Sequence, residues 1–392
     1  MAHAMTQRLA APRATANDHS LFVPALAALW PRMLFTRGDS ARFLPFCQPN
    51  ALYFYFARNA IWRTVKMLGL ESGEVLVPAY HHGVEIEALA DAGSRLRFYP
   101  VGRRWDVDPS EVARRITRET KALYLIHFAG FPGPVEEMRE LADKHGLPLI
   151  EDCALSLLSA QGDKPLGSTG DVSIFCLYKT LPLPNGGAMV INGSNHYDLP
   201  RPMPPPTTST FSHLMSSLLQ NIEMRGGSVG RALRAGVRRL GRRTVEAANI
   251  ERVTTGSDHF NREHVDLGIS SISLRIIGSQ DMARIVKIRR RNYRFLLEQL
   301  RTVSPPLFDG LPPGICPLFY PLILEEKESV MERLAARGIE SIDFWRNFHR
   351  DCDPNEFPDA AWLRRSVLEI PCHQDLTLET MQQVAQAVRE SV

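Results

Sequence analysis

Between about residues 52 and 192, short and continuously apolar runs alternate with longer stretches whose apolar residues recur at helical spacing. The helical stretches are residues 60–70, ended by a turn at Gly73, residues 84–92, closed by Gly93, and residues 135–145, closed by Gly146. The strand-like runs are residues 74–78, 96–101, 121–127, 147–150, 172–177 and 188–192. The run at 147–150 delivers Glu151 and Asp152 at its end. Apolar strands between amphipathic helices predict an α/β domain with a mainly parallel sheet covered on both faces. Ligands of such sheets bind beyond the carboxyl ends of the strands, which singles out His127, Asp152 and the loop carrying Lys179.

The pattern breaks over residues 199–210, where Pro202, Pro204, Pro205 and Pro206 and several threonines predict an extended linker. A basic stretch follows, with Arg225, Arg231, Arg234, Arg238, Arg239, Arg242 and Arg243. Val229, Leu233, Val237 and Leu240 recur within it at helical spacing. The preferred reading is a helix packed on the domain with a solvated basic face. The sharper one is a helix that meets an anionic substrate or a membrane surface. Residues 284–300 predict a long helix between domains, and from Pro317 onward a strand-like run at 318–324 and helices at 329–337 and 378–391 predict a small α+β unit. The expected division is an N-terminal arm over 1–50, a large domain over 51–283 with an insertion at about 199–250, and a connecting helix with a small domain over 284–392.

The 392 residues, 44% of them hydrophobic, suffice for one large core and a smaller second one. A net charge of +3 gives no whole-chain reason to expect nucleic acid as a partner, and no apolar run is long enough to span a bilayer. Residues 1–17 lack the apolar segment of a secretory signal. The six cysteines are dispersed and form no C-x-x-C pair, so neither a disulfide framework nor a zinc site is expected, and a reduced, cytoplasmic setting is.

The central chemical pattern is an acid followed by a lysine. Asp152 ends one buried strand, and Lys179 follows another in the segment from Phe175 to Gly187. A lysine kept partly neutral by burial can form a Schiff base. A carboxylate facing a pyridine nitrogen keeps it protonated, which makes pyridoxal 5′-phosphate (PLP) an electron sink. The pair Gly186-Gly187 allows a tight turn close to a ligand.

These residues sit among others in a recurring order. Glu151-Asp152-Cys153-Ala154, Gly167 to Asp171, Phe175 to Lys179 and Gly186-Gly187 together resemble the DegT/DnrJ/StrS family of PLP-dependent sugar aminotransferases. Phe56 to Ile61 resembles the family's phosphate-binding turn at a helix start, and Val75 to His82 the strand and loop carrying its ring-stacking residue. Gly268 to Ser270 falls where the family has a Gly-x-Asn loop that reaches the neighbouring active site. The resemblance implies the PLP-dependent transferase fold type I, with a seven-stranded sheet and a small C-terminal domain. It implies Lys179 as the Schiff-base and proton-transfer residue, and Asp152 as the partner of the pyridine nitrogen. Cofactor contacts are implied for His82, Arg58, Asn59, Cys176 and Ser270, with Ser173 the other candidate for the position of Cys176. It further implies an amino-acid donor, a nucleotide-linked keto-sugar acceptor and a homodimer. Three departures stand out: Leu155 where the family has Gln, Cys176 where it has Ser, and Ser270 where it has Asn. They leave open a PLP-dependent sugar dehydratase, and a protein that keeps the fold without turnover. A metal at His81-His82 is not expected, because adjacent histidines lack the spacing of a helical zinc pair.

Overall fold

A computed structural model of the chain describes residues 21–193, 197, 199–248 and 260–392. Its central feature is a seven-stranded sheet. The first part runs β1 (Leu52–Phe54), α1 (Ala57–Leu68), β2 (Glu74–Pro78), α2 (Val84–Asp91), β3 (Arg95–Tyr99), α3 (Pro109–Ala113), β4 (Thr120–Ile126), α4 (Val135–His145) and β5 (Leu149–Asp152). A short hairpin of β6 (Ala160–Gln161) and β7 (Lys164–Pro165) precedes β8 (Val172–Cys176) and β9 (Gly187–Ile191). The strand order is β1-β9-β8-β5-β4-β2-β3. Strands β8, β5, β4, β2 and β3 are parallel, and β9 runs antiparallel to both β1 and β8.

The burial of these strands explains their composition. Val75, Leu76, Val77, Leu123, Leu125, Ile150 and Ile174 are sealed between helices on both faces, where a polar alternation would strand side chains without partners. Helices α1 and α4 end at Gly69 and Gly146, both left-handed with φ near +60°, a conformation that favours glycine.

The C-terminal part is α7 (Met282–Leu300), β10 (Phe319–Ile323), α8 (Lys327–Ala336), β11 (Ile342–Asp343), α9 (Pro358–Ser366), β12 (Val367–Pro371) and α10 (Leu378–Arg389). Its three strands form an antiparallel sheet in the order β10-β12-β11. Part of the expected N-terminal arm belongs here. Val23 bridges Ile339, Pro24 O meets His373 Nε2 at 2.9 Å, and Ala28 N donates to Asp375 Oδ2 at 2.8 Å. Residues 1–20 lie outside the described residues.

The linker at 199–210 is shorter than the sequence pattern implies, because helix α5 (Thr207–Ala248) begins directly after Pro206. This helix is broken at Gly227, whose φ is +52°. Its first half is anchored: Leu219 is buried, and Leu214 and Leu218 pack with Leu29 and Leu44. Beyond the break, Val229 and Leu233 are exposed, so the expected packing of the basic helix through these two residues is not found. A short α6 (Ser271–Ile277) follows. The side chains of Arg234, Arg238, Arg239, Arg242 and Arg243 lie outside the described residues.

Candidate active site

Asp152 is the last residue of β5, level with Ile126 on β4. Its Oδ2 accepts the Tyr124 hydroxyl at 2.6 Å, and its Oδ1 accepts Ala154 N–H at 2.8 Å. The residue is only 4% exposed. Burial raises its pKa, while the two hydrogen bonds and the nearby Lys179 charge pull in the other direction. Among the described residues it forms no ion pair within 4 Å. It is a buried acid with two donors and lone pairs to spare.

Lys179 ends a single 3₁₀ turn (Leu177–Lys179) that follows β8. The loop is tied down on both sides. Leu177 N–H donates to Gly186 O and Gly186 N–H to Tyr55 O, each at 2.9 Å. Thr180 O accepts from Gln374 Nε2 at 2.9 Å and from Arg289 Nη2 at 3.2 Å. The Lys179 charge bears on Asp152, Cys176, His82 and Glu85, and on Glu369 from β12. One charge therefore reaches groups on the seven-stranded sheet and on the three-stranded one.

Arg58 and Asn59 lie in the first turn of α1, whose N-cap Phe56 offers no side-chain acceptor to the turn's N–H groups. The guanidinium of Arg58 lies 3.8 Å from the centre of the Phe56 ring. Arg58 is 8% exposed, and among the described residues it has no ion pair or side-chain hydrogen bond. Burial lowers its pKa. Asn59 Nδ2 donates to His264 O at 2.7 Å, and its buried Oδ1 has no partner. The helix start can sit this close to β9 because residue 187 is glycine. A Cβ there would overlap the backbone of Phe56 and Ala57.

His82 follows β2, and its N–H donates to Glu85 Oε1 at 2.6 Å. Burial and the charges of Lys179, Arg58 and Arg364 push its pKa down to about 3, so the ring is neutral. Burial and the neighbouring Asp152 push Glu85 up to about 7. Arg364 on α9 braces this loop from the small domain, donating to Ala79 O, His81 O and Trp345 O. Beside His82 lies a cavity of about 490 Å³ bordered by Glu87, Asp91, Phe348 and His349.

Lys179, Asp152, His82, Arg58 and Cys176 thus share one electrostatic neighbourhood, with Asn59 next to Arg58 on the same helix turn. Of the two alternatives near the lysine, Ser173 is turned away: its hydroxyl donates to Gly167 O at 2.6 Å. Cys176 is buried, and burial raises its pKa. Ser270 is placed differently from the expected loop. It caps α6 through Ser273 N–H and takes Asn185 Oδ1 on its own N–H, so its hydroxyl is engaged within the chain. Leu155 packs into the main core.

His127 does not face a ligand, although the strand-end rule points to it. Its Nδ1 accepts Gly133 N–H and its Nε2 meets Glu151 Oε2, both at 3.0 Å. Glu151 also accepts the N–H groups of Gly167, Thr169 and Gly170. Burial pushes Glu151 up, but these bonds outweigh it and hold the carboxyl below its ordinary range. His127, Glu151 and Cys153 lie within metal-binding distance of one another, yet the first two are already consumed in this clasp. Sequence reasoning missed Tyr124, Glu85, Arg289 and Gln374. Only Tyr124 left a local trace, as a hydroxyl set between Leu123 and Leu125 in the strand.

Among the described residues two buried charges, Asp152 and Arg58, have no ion-pair partner within 4 Å. A planar ring with a protonated nitrogen at one end and a phosphate at the other would supply both. Residues 57–204 match the model of the DegT/DnrJ/EryC1/StrS aminotransferase family. Over 139 residues the chain is 32% identical to the GDP-perosamine synthase of Vibrio cholerae, covering 35% of this chain and 38% of that protein. Over 163 residues the chain is 30% identical to a dTDP-3-amino-3,4,6-trideoxy-alpha-D-glucose transaminase of Streptomyces venezuelae, covering 40% and 42%. The aligned part is less than half the length of either relative. Solved structures extend the likeness to the whole fold. The aminotransferase PseC of Helicobacter pylori aligns over 95% of this chain and 99% of its own, with a TM-score of 0.64 at 17% identity. TlmJ from Streptoalloteichus hindustanus aligns over 93% and 92%, with a TM-score of 0.60 at 20% identity. The fold of the chain is therefore fold type I of the PLP-dependent transferases.

Proposed function

We propose that the chain is a PLP-dependent aminotransferase. It would move an amino group from an amino acid, with glutamate the expected donor, to a keto-sugar carried on a nucleotide. The observation that supports this most is the shared setting of Asp152 and Lys179 at the ends of β5 and β8, with the unpaired Arg58 beside them. The relatives are named for sugar amination, which supports the acceptor class.

When bound, PLP withdraws electrons from the carbon that carries the amine. Asp152 would accept a hydrogen bond from the ring nitrogen, its two existing donors holding it in position. Arg58 and N–H groups at the start of α1 would hold the phosphate. The neutral imidazole of His82 would lie against the ring. Lys179 Nζ would hold the cofactor covalently at rest. Once released, it would take a proton from the amine-bearing carbon and return it elsewhere. The buried thiol of Cys176 would sit beside the phosphate as a weak donor.

A homodimer in the cytoplasm is part of the same reading. Phe35 and Leu274 support the dimer: both are large, apolar and exposed, and the Arg275 Nε bond to Leu34 O holds their segments together. Size measurement of the full chain in solution tests it, and a monomer at working concentration would remove it.

The activity is tested by following visible absorbance of the purified protein with PLP while glutamate is added. A band that glutamate bleaches, and that a nucleotide-linked keto-sugar restores, is expected. A band that glutamate leaves untouched favours another donor or the non-catalytic reading. No band at all overturns the proposal.

A further inference from the structure

The second half of α5 has no part in the site described above. It begins after the break at Gly227, and Gly230 lies against the backbone of Ile222 and Glu223, where a Cβ would overlap it. Arg231 pairs with Glu223 at 3.4 Å across the same crossing. The helix therefore folds back beside the first half and then runs on to Ala248.

Its exposed residues are apolar. Val229 is 76% exposed and Leu233 is 51% exposed. The sequence continues that register: Val237 and Leu240 fall on the same side of a 3.6-residue period. The remaining arc of the period holds Arg234, Arg238, Arg239, Arg242 and Arg243, against the single acid Glu246. A basic arc in the sequence opposite an apolar stripe that begins with the exposed Val229 and Leu233, without enough apolar length to span, is the pattern of a helix lying in a membrane interface. Among the described residues no helix is long and apolar enough to cross a membrane.

We propose that residues 228–248 dock the protein on the surface of an anionic lipid bilayer. The apolar stripe enters the acyl boundary and the arginines meet lipid phosphates. Charge complementarity favours this occupant over a second copy, because a two-fold contact across this face would set arginine against arginine. A nucleic acid would satisfy the arginines but leave the apolar stripe in water. The proposal does not depend on the amination chemistry.

The test is flotation of the full chain with vesicles of phosphatidylglycerol mixed with phosphatidylcholine, and with phosphatidylcholine alone. Binding is expected only to the anionic vesicles, weakening as salt screens the charge. The double substitution Arg238→Glu/Arg242→Glu should weaken binding by roughly tenfold or more. Val229→Asn/Leu233→Asn should weaken it as well, with the visible absorbance of the PLP-loaded protein unchanged in both. Equal binding to both vesicle types overturns the proposal, as does binding that survives both double substitutions. A nucleic acid bound through the arginines, with Val229→Asn/Leu233→Asn without effect on any partner, overturns it too. So does a larger oligomer that the same substitutions disperse, with no vesicle binding.

Discussion

The guanidinium of Arg289 on α7 donates to the carbonyl of Thr180, 3.2 Å away and one residue beyond Lys179. The same guanidinium donates to Pro317 O and Leu318 O, and its Nε to Gln374 Oε1, while Gln374 returns to Thr180 O. The lysine loop is thus held by the connecting helix and the small domain, not by its own sheet alone.

Arg289→Met removes donors from three buried carbonyls and should cost roughly 2–4 kcal/mol of stability, read as a lower urea midpoint. Combined with Gln374→Leu it leaves Thr180 O unbonded, and covalent attachment of PLP, followed by absorbance, should slow beyond the single variant. An attachment rate that stays at the parent value while stability falls would assign these bonds to domain packing alone.

Lys179→Ala should abolish the covalent absorbance band while still admitting PLP by its phosphate. Asp152→Asn should keep binding but lose the charge opposite the ring nitrogen. A buried charge pair of this kind is worth about 2–5 kcal/mol, so turnover should fall by roughly a hundredfold or more. Full activity in the Asn variant would end the role assigned to Asp152.

Glu85 carries a pH signature. Its folded pKa of about 7 stands above the ordinary value of 4.5, so between those values the folded chain keeps a proton that the unfolded chain releases. Its contribution to stability therefore falls as pH rises through that window and is flat above about pH 7. Glu85→Gln removes the effect. The stability of the variant relative to the parent, from denaturant midpoints, should rise from pH 4.5 to 7 and then level off. A difference independent of pH would mean that Glu85 is not held protonated.

Gly187→Ala tests the contact between β9 and α1. The new methyl would overlap backbone rather than a movable side chain, so α1 must shift. The expected loss is about 1–3 kcal/mol or more, with weakened phosphate affinity, measurable as displacement of bound PLP by inorganic phosphate.

The sequence alone singled out Asp152 and Lys179, whose charges interact in the fold, because each follows an apolar run, and a strand end is a local property. It misjudged His127 because position at a strand end does not determine direction: the ring turns back to Glu151. The partners of Thr180 were invisible, since they lie 109 and 194 residues away along the chain and nothing in the spacing pairs them. Strand β12 was not recognised as one. Glu369 and Pro371 interrupt its apolar run, and only its antiparallel pairing with β10 and β11 explains it. The onset of α5 was misread because Pro206 ends the proline run directly before the first helical residue, a place proline tolerates.

The grip on Thr180 also orders events during synthesis. Strands β1 to β9 leave the ribosome well before Arg289 exists, and Gln374 comes close to the end of the chain. The sheet can close early, but the lysine loop must wait for these distant contacts. A nascent chain stalled before residue 374 would carry a finished sheet with its reactive amine still unlatched.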